Sequence, residues 1–183
     1  VQIGTDRQLF LDDFWTAKSS GVTRRLHTPE RREPAIRSEH PWEARLSAYQ
    51  VNFHDGERWR MYYQCAGGQP TTHGDLGLCA YAESDDGITW EKPSLGLISF
   101  EGSTDNNLVY AGPETELAPF LDTHPDVPED QRYKAMARSS RQDHNARALY
   151  AMASPDGLAW HKMSDEPVIK NQGLLDVHNM TFW

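Results

Sequence analysis

The feature that most constrains this chain is a seven-residue pattern, Ser-x-Asp-Gly-x-x-Trp, that occurs twice. It covers residues 84–90 and, 70 residues later, residues 154–160, and a Lys follows each Trp by two positions. Asp-Gly favours a tight turn because both residues tolerate the left-handed conformation. The Trp then gives the returning strand a large ring to bury. Such an echo at a long fixed period indicates a repeat architecture, here built from β units.

Short strands around the first copy predict one complete unit. The clearest hairpin covers residues 48–65, where aromatic and β-branched residues flank an Asp-Gly turn. A third strand is predicted over residues 76–83 and a fourth from Trp90 onward. Residues 48 to about 93 therefore predict a four-stranded antiparallel unit, the composition of a propeller blade.

The second copy predicts a similar unit. A polar, Pro-rich loop is expected over residues 118–126, followed by a first strand over 132–137. Residues 148–153 and the stretch from Trp160 onward supply its later strands, and residues 173–183 read as the start of a third unit. Since no long amphipathic helix pattern is present, the fold class predicted is all-β.

The N-terminal region is expected to be extended as well, with a strand over residues 8–15 and a short extended piece over 22–27. We expect a single, incomplete domain divided into four segments: residues 1–47 with N-terminal strands and a lead-in loop, 48–117 as the first blade, 118–172 as the second, and 173–183 as the start of a third.

Polar residues recur before the predicted first strands. A His-Pro pair at residues 40–41 and another at 124–125 each precede a strand Tyr by the same interval, with an offset of 84 between the copies. An Asp-x-His pattern at 122–124 recurs at 176–178. In a propeller the first strand of each blade lies nearest the axis, so the sequence predicts that these lead-in loops converge there.

The charge balance excludes some partners. The net charge of −9 argues against nucleic-acid binding, which needs a basic surface. No run approaches the ~18 apolar residues of a membrane span. No signal peptide is recognised at the start. A mature exported protein has lost its signal, so the compartment is open, and we favour a periplasmic or secreted one.

The two cysteines leave two alternatives. Cys65 and Cys79 lie on segments predicted to be neighbouring strands. A disulfide between them and two buried free thiols are both compatible with that placement. Neither belongs to a spacing typical of metal sites.

The chain resembles a known superfamily. Residues 84–93, Ser-Asp-Asp-Gly-Ile-Thr-Trp-Glu-Lys-Pro, and 154–162 resemble blade motifs of the five-bladed propeller glycoside hydrolases of families 32 and 43. Residues 132–135, Arg-Tyr-Lys-Ala after an Asp-x-x-Pro loop, are similar to stretches in bacterial family-32-like proteins. The resemblance covers residues 8 to 183. It implies four-stranded antiparallel blades, two of them and the start of a third in this chain, with the others supplied by the rest of the polypeptide or another chain.

The resemblance also implies glycosidic bond hydrolysis by carboxylates gathered at the axis. One acid protonates the leaving oxygen while a carboxylate activates water or attacks the anomeric carbon. The acids of the lead-in loops are the candidates: Asp122, Asp176 and Glu43, with Glu39 as an alternative to Glu43. The repeated Asp of the seven-residue pattern is interpreted as a turn residue, because an active site needs one acid whereas a fold motif needs one per blade.

Candidate substrate-binding residues come from the same loops. His40, His124 and His178 are expected to line the pocket, where they would bond sugar hydroxyls, tune a carboxylate pKa or hold an axial metal ion. Trp42 and Trp183 are candidates for stacking on a sugar face. No cofactor is expected, and the histidine spacing is not a local metal motif.

The function predicted is therefore that of a glycoside-hydrolase-like protein acting on a carbohydrate. Two alternatives are compatible with the same sequence. One is a carbohydrate-binding or structural propeller without catalysis, and the other is a propeller enzyme of different chemistry, such as a metal-assisted lyase.

Overall fold

A computed structural model of the chain describes residues 4–5, 8–66, 77–139, 148–170, 175 and 178–182. The chain divides into two compact units, residues 1–33 and 34–183. Residues 8–33 form turns and irregular chain without a strand, so the strand prediction for residues 8–15 is wrong. A strand needs a neighbouring strand for its backbone hydrogen bonds, and no second strand is formed within residues 8–33.

The first sheet, sheet 1, is antiparallel with its strands in chain order. The predicted hairpin is confirmed, since His54 pairs with Trp59 across the first turn. The third strand is confirmed as well. The four strands are β1 (Arg45–His54), β2 (Trp59–Ala66), β3 (Gly77–Ser84) and β4 (Leu108–Gly112).

The fourth strand of sheet 1 differs from the prediction. The chain after Trp90 makes a single bridge, between Glu83 and Glu91, and then leaves the sheet. Pro93 follows directly and has no N–H to extend a ladder. The fourth strand is instead β4, which begins at Leu108, beyond the residues 48 to about 93 that the sequence predicted for this unit.

The second sheet, sheet 2, is also antiparallel. Its path runs from β5 to β8, and β9 pairs with the other end of β7, so that β8 and β9 share the fourth position. Two short 3-10 helices, Pro41–Glu43 and Glu129–Gln131, accompany the sheets. The strands are β5 (Glu114–Leu121), β6 (Tyr133–Ser139), β7 (Ala148–Ser154), β8 (His161–Lys162) and β9 (Ile169–Lys170). Within the described residues, no helix is long and apolar enough to cross a membrane.

The first strand of sheet 2 is misplaced by the sequence. Residues 118–121 belong to β5, so the loop predicted over 118–126 is wrong in its first half. Pro119 is tolerated because β5 is an edge strand of sheet 2. Tyr133 then begins the second strand and not the first, whereas Tyr49 lies in β1. The offset of 84 therefore does not relate equivalent positions.

One face of sheet 1 packs against one face of sheet 2. Tyr62 and Tyr81 of sheet 1 pack against Ala135, Ala137 and Met152 of sheet 2. The register makes Trp59 of β2 equivalent to Tyr133 of β6, because each pairs with the last residue of the preceding strand.

The opposite face of sheet 1 packs in a second hydrophobic core. Met61 and Tyr63, the equivalents of Ala135 and Ala137, lie there with Trp42, Phe100 and Leu108, and we call this cluster the outer core of sheet 1. Sheet 1 therefore contacts sheet 2 through the face that carries Tyr62, whereas sheet 2 uses the face equivalent to that of Met61 and Tyr63. We call this contact between unlike faces head-to-tail stacking.

Both seven-residue patterns form the predicted turns. Gly87 and Gly157 have φ of 72° and 78°. Each Asp carboxylate accepts hydrogen bonds from two following backbone N–H groups at 2.7–3.0 Å, and each Ser hydroxyl accepts one from the Gly N–H at 2.9 Å. The turn role interpreted for Asp86 and Asp156 is confirmed.

Arg60 connects sheet 1 to the second of these turns. Its Nη1 donates to the Asp156 carbonyl at 2.7 Å, and its Nε donates to Asp55. The guanidinium carbon lies 4.8 Å from the centre of the Tyr133 ring, and the Tyr133 hydroxyl donates to Asp55 at 3.2 Å.

The two turn glycines predict different sensitivities to substitution. A Cβ at Gly157 would lie 2.6 Å from the Tyr62 hydroxyl and 2.9 Å from Nη1 of Arg60, whereas one at Gly87 meets the Trp59 ring at 3.2 Å. Both variants incur the left-handed cost of about 1–2 kcal/mol. We expect Gly157→Ala to lose about 1–3 kcal/mol more than Gly87→Ala from overpacking. Urea denaturation measures both, and equal losses would contradict the inter-sheet packing.

The buried positions of the two cysteines predict that neither thiol is reactive in the native protein. Cys65 lies in the outer core of sheet 1 and Cys79 in the inter-sheet core, and both are free. Burial raises the pKa of both thiols, that of Cys79 to about 12. Since thiolate is the reactive form, we expect a thiol reagent at pH 8 to modify neither cysteine in the native protein and both in denaturant. Rapid native modification of either would contradict this placement.

Candidate functional site

The candidate site lies in the first halves of β1 and β5. Three segments that are far apart in sequence meet there. The rings of Tyr49 in β1 and His178 lie 5.7 Å apart, and Nε2 of His178 lies 3.4 Å from the Leu117 carbonyl oxygen in β5. We call Tyr49, Glu116, Leu117, Arg138 and His178 the first-strand cluster.

A β-bulge shapes β5 at this point. The β5–β6 pairing shifts register between Thr115 and Ala118, so that two residues, Glu116 and Leu117, oppose one residue of β6. Glu116 has φ of 58°, the left-handed region that a non-glycine residue seldom adopts. β1 shifts register at a comparable point against β2. Bulges and strained residues of this kind concentrate next to functional sites.

Glu116 forms a buried, bidentate ion pair with Arg138. Nε of Arg138 donates to one carboxylate oxygen at 3.0 Å and Nη2 to the other at 2.6 Å. The two side chains are 9% exposed for Arg138 and 5% for Glu116. A guanidinium can only donate, so both oxygens of Glu116 act as acceptors and the carboxylate is ionised.

A second buried carboxylate lies two residues earlier. Glu114 accepts a hydrogen bond from the Tyr110 hydroxyl, and Nζ of Lys162 lies 3.4 Å away. Sequence reasoning missed both Glu114 and Glu116 because it placed the first strand of this unit too late. Two Glu residues separated by a single Thr, directly after Gly-Pro and leading into apolar residues, are the signal that marks them.

Asp122 lies beyond the other end of β5. It is five residues from Leu117, a separation of about 16 Å along a strand. The hydrogen bond from Nζ of Lys134 at 2.5 Å, together with the backbone N–H of His124, holds the pKa of Asp122 below its usual value. A hollow of about 300 Å³ adjoins it, lined by Leu121, Asp122, Thr123, His124, Val127, Glu129 and Arg132.

Asp55 occupies the position in sheet 1 that Asp122 occupies in sheet 2. Each follows the last residue of the first strand, and each pairs with the cation one position into the second strand, Arg60 or Lys134. A carboxylate that recurs once per sheet favours a turn role. This geometry therefore gives Asp122 the same structural explanation as Asp55.

Glu43 is enclosed. It is 0% exposed, and its oxygens accept hydrogen bonds from the Tyr63 hydroxyl at 2.6 Å, the Glu39 N–H at 2.9 Å and Nζ of Lys92 at 3.0 Å. Burial raises the pKa of Glu43, but these bonds outweigh it and hold the pKa below its usual value. The arrangement favours a structural role over the predicted catalytic one. The alternative, Glu39, binds Lys92 at 3.1 Å on the surface.

The predicted substrate-binding residues do not all converge. His40 stacks on Trp42 at 4.6 Å, and Trp42 packs in the outer core of sheet 1, away from the inter-sheet face. His124 lies in the β5–β6 turn, where its Nδ1 accepts the Asp126 N–H at 3.1 Å. Of the three histidines, the structure places His178 in the first-strand cluster. Asp176 and Trp183 lie outside the described residues.

Metal ligands are not gathered in the part of the chain that the structure describes. There, no group of three or more His, Cys, Asp or Glu side chains could hold an ion. The axial metal considered from the histidine pattern therefore has no described ligand set.

Comparison with known proteins gives no match: no family model, no curated protein and no solved structure matches this chain.

The turn position that Asp55 shares with Asp122 predicts that the Asp55 carboxylate stabilises the fold in a pH-dependent way. Burial raises the pKa of Asp55, but N–H groups of Arg58 and Glu57 and the Arg60 side chain outweigh it and leave the pKa far below its usual value. A lowered pKa stabilises the fold above the unfolded value, about 3.9, and this contribution is lost as pH falls below it. We expect Asp55→Asn to cost about 3 kcal/mol at pH 7 because Arg60 loses its buried partner.

The difference in the free energy of unfolding between wild type and Asp55→Asn, measured by urea denaturation, should become smaller between pH 5 and pH 2.5. Asp122→Asn serves as the matched variant and should cost less, because Lys134 is more exposed than Arg60. A gap that stays constant down to pH 2.5 would show that the ionised form of Asp55 contributes nothing.

Proposed function

We propose that this protein binds a carbohydrate at the first-strand cluster and hydrolyses a glycosidic bond there. The observation that carries the proposal is the meeting of β1, β5 and the segment around His178 at one place. A site built from distant segments on sheet strands is the arrangement that holds several side chains around one ligand.

We propose further that the two sheets are consecutive blades of a propeller-type fold. Head-to-tail stacking supports this, because an interface between unlike faces can be repeated by further units until the ring closes. The resemblance of the seven-residue patterns to propeller glycoside hydrolases points the same way. In such a ring the first strands lie at the axis, where the cluster would be.

The cluster has groups suited to a sugar. The ionised Glu116 can accept hydrogen bonds from hydroxyl groups and can stabilise positive charge at the anomeric carbon. Tyr49 and His178 add a ring surface with polar edges, which suits a ligand that is apolar on its faces and polar at its rim. Tyr49 and His178 are half-buried and can reach a ligand with small rearrangement, whereas the Glu116 side chain, 5% exposed, needs a local opening to do so.

Glu116 alone cannot complete the reaction. Hydrolysis also needs a proton donor for the leaving oxygen, and a carboxylate that accepts two hydrogen bonds from Arg138 has no proton to give. Asp176 remains the predicted acid because it is two residues before His178 in the sequence. Asp122 and Glu43 are not assigned catalytic roles here, since their geometry favours turn and core functions.

One observation favours a second candidate, a carbohydrate-binding module without catalysis. Each described carboxylate considered for catalysis pairs with a cation: Glu116 with Arg138, Asp122 with Lys134, and Glu43 with Lys92. Such pairing suits hydrogen-bond acceptance in binding but not proton donation.

The test measures binding and hydrolysis of a panel of neutral and uronic-acid oligosaccharides by calorimetry and product analysis. We expect Glu116→Gln to weaken binding roughly 10- to 100-fold, because a hydrogen bond to a charged group contributes about 1.5–3 kcal/mol. Asp176→Asn should abolish turnover and keep binding. Asp105→Asn, an exposed carboxylate in the loop before β4, is the matched control and should change neither.

The outcomes separate the candidates. Binding without turnover in the wild type supports the binding module. Loss of turnover in Asp122→Asn but not in Glu116→Gln would move the site to the other end of β5. A wild-type chain that binds no carbohydrate rejects both candidates. Circular dichroism checks that each variant is folded.

A further inference from the structure

The contact between His178 and Leu117 favours one tautomer of the imidazole. A carbonyl oxygen only accepts, so a hydrogen bond between it and Nε2 of His178, 3.4 Å away, requires the proton on Nε2. Neutral His178 is then protonated at Nε2, and its Nδ1 is an acceptor. Among the described residues, no hydrogen bond to Nδ1 of His178 is formed.

The position of the Leu117 carbonyl depends on the bulge. Leu117 is one of the two β5 residues that oppose a single β6 residue, and a bulge interrupts the regular ladder at that point. The preceding residue, Glu116, adopts the left-handed conformation that redirects the chain there. The direction of the carbonyl is therefore set by the conformation at residue 116.

A glutamate is an unusual choice for that conformation. The first position of such a bulge is commonly glycine, which adopts left-handed φ at no steric cost, whereas other residues lose about 1–2 kcal/mol. The ion pair with Arg138 offsets this cost, because both oxygens of Glu116 are fixed by Nε and Nη2 in a site that is almost closed to solvent.

From these contacts we infer that the Glu116–Arg138 pair is a positioning device: it holds the left-handed bulge, the bulge aims the Leu117 carbonyl at His178, and His178 presents Nδ1 as a hydrogen-bond acceptor for a carbohydrate hydroxyl. The last step rests on the proposed function. Glu116 and Arg138 are positioning residues for His178, in addition to any contact that Glu116 makes with a sugar.

The tautomer is measured directly on the full chain by long-range ¹H–¹⁵N NMR at alkaline pH, where the imidazole is neutral. We expect His178 to be protonated at Nε2 and unprotonated at Nδ1. Protonation at Nδ1 instead, or an even mixture of the two tautomers, would overturn the inference, because the Leu117 carbonyl would then not select the donor.

Two double variants test the role of the bulge. Glu116→Gly with Arg138→Met and Glu116→Ala with Arg138→Met both remove the ion pair without leaving a buried unpaired charge, and they differ by one methyl group. Glycine favours the left-handed conformation that alanine disfavours. We expect the glycine variant to keep the Nε2–H tautomer and the alanine variant to lose it. Retention in both variants would show that the conformation at residue 116 does not position His178.

A second pair of variants tests which nitrogen meets the ligand, and it keeps the inference falsifiable if the double variants do not fold. The Asn amide lies near the position of Nδ1 and the Gln amide near that of Nε2. We expect His178→Gln to bind the best oligosaccharide of the panel roughly 3- to 10-fold more weakly than His178→Asn, the effect of one neutral hydrogen bond. Equal affinities, or tighter binding by His178→Gln, would reject Nδ1 as the contact.

The two proposals fail in different ways. A wild-type chain that binds no carbohydrate rejects the proposed function and, with it, the use of Nδ1 by a sugar. The NMR tautomer and its response to the two double variants still decide whether the ion pair positions His178, since neither measurement needs a ligand.

Discussion

The contact between the two sheets is the interaction on which the rest of the structure depends, and Arg60 bridges it next to the β1–β2 turn. Its guanidinium reaches Asp55 in its own sheet, the Asp156 carbonyl in the facing turn and the face of Tyr133. A charge buried in an apolar interface is costly unless it is paired and bonded. Because the partners come from both sheets, only one relative height of the sheets satisfies Arg60. The fully buried Tyr62 beside it fills the same interface.

The position of one sheet relative to the other determines where a site can form. With the sheets stacked head to tail, β5 packs against sheet 1 and its first half comes near His178, which also lies beside Tyr49 of β1. The bulge lies at this half of β5, whereas Asp122 lies beyond the other end. Several side chains are therefore gathered at the first-strand cluster, whereas Asp122 bonds Lys134 and the His124 N–H at the β5–β6 turn.

The sequence predicted the local features of the fold well. The Asp-Gly turns and the β1–β2 hairpin depend on residues within a few positions of one another, so their patterns carry the information. It failed at β5, because Pro119 suggests a loop unless it is known that β5 is an edge strand. That error carried over to the site: a first strand placed at Tyr133 turns Asp122 into a lead-in residue and hides Glu116. The substrate-binding role of His178 stays a prediction, and its contacts with Tyr49 and Leu117 were not predicted from the sequence.

The amino-acid sequence by itself determined the all-β class, the repeat of the seven-residue pattern and the turn role of its Asp and Gly residues, since backbone preferences and short-range hydrogen bonds decide these. Only the tertiary structure decided that Cys65 and Cys79 lie in different cores, that Asp122 repeats Asp55, and that Glu116 pairs with Arg138 at a left-handed bulge. The physical reason is that register and sheet stacking are set by cross-strand partners many residues away. A shift of one position exchanges the two faces of a strand, and no local pattern specifies which partner a buried charge will meet.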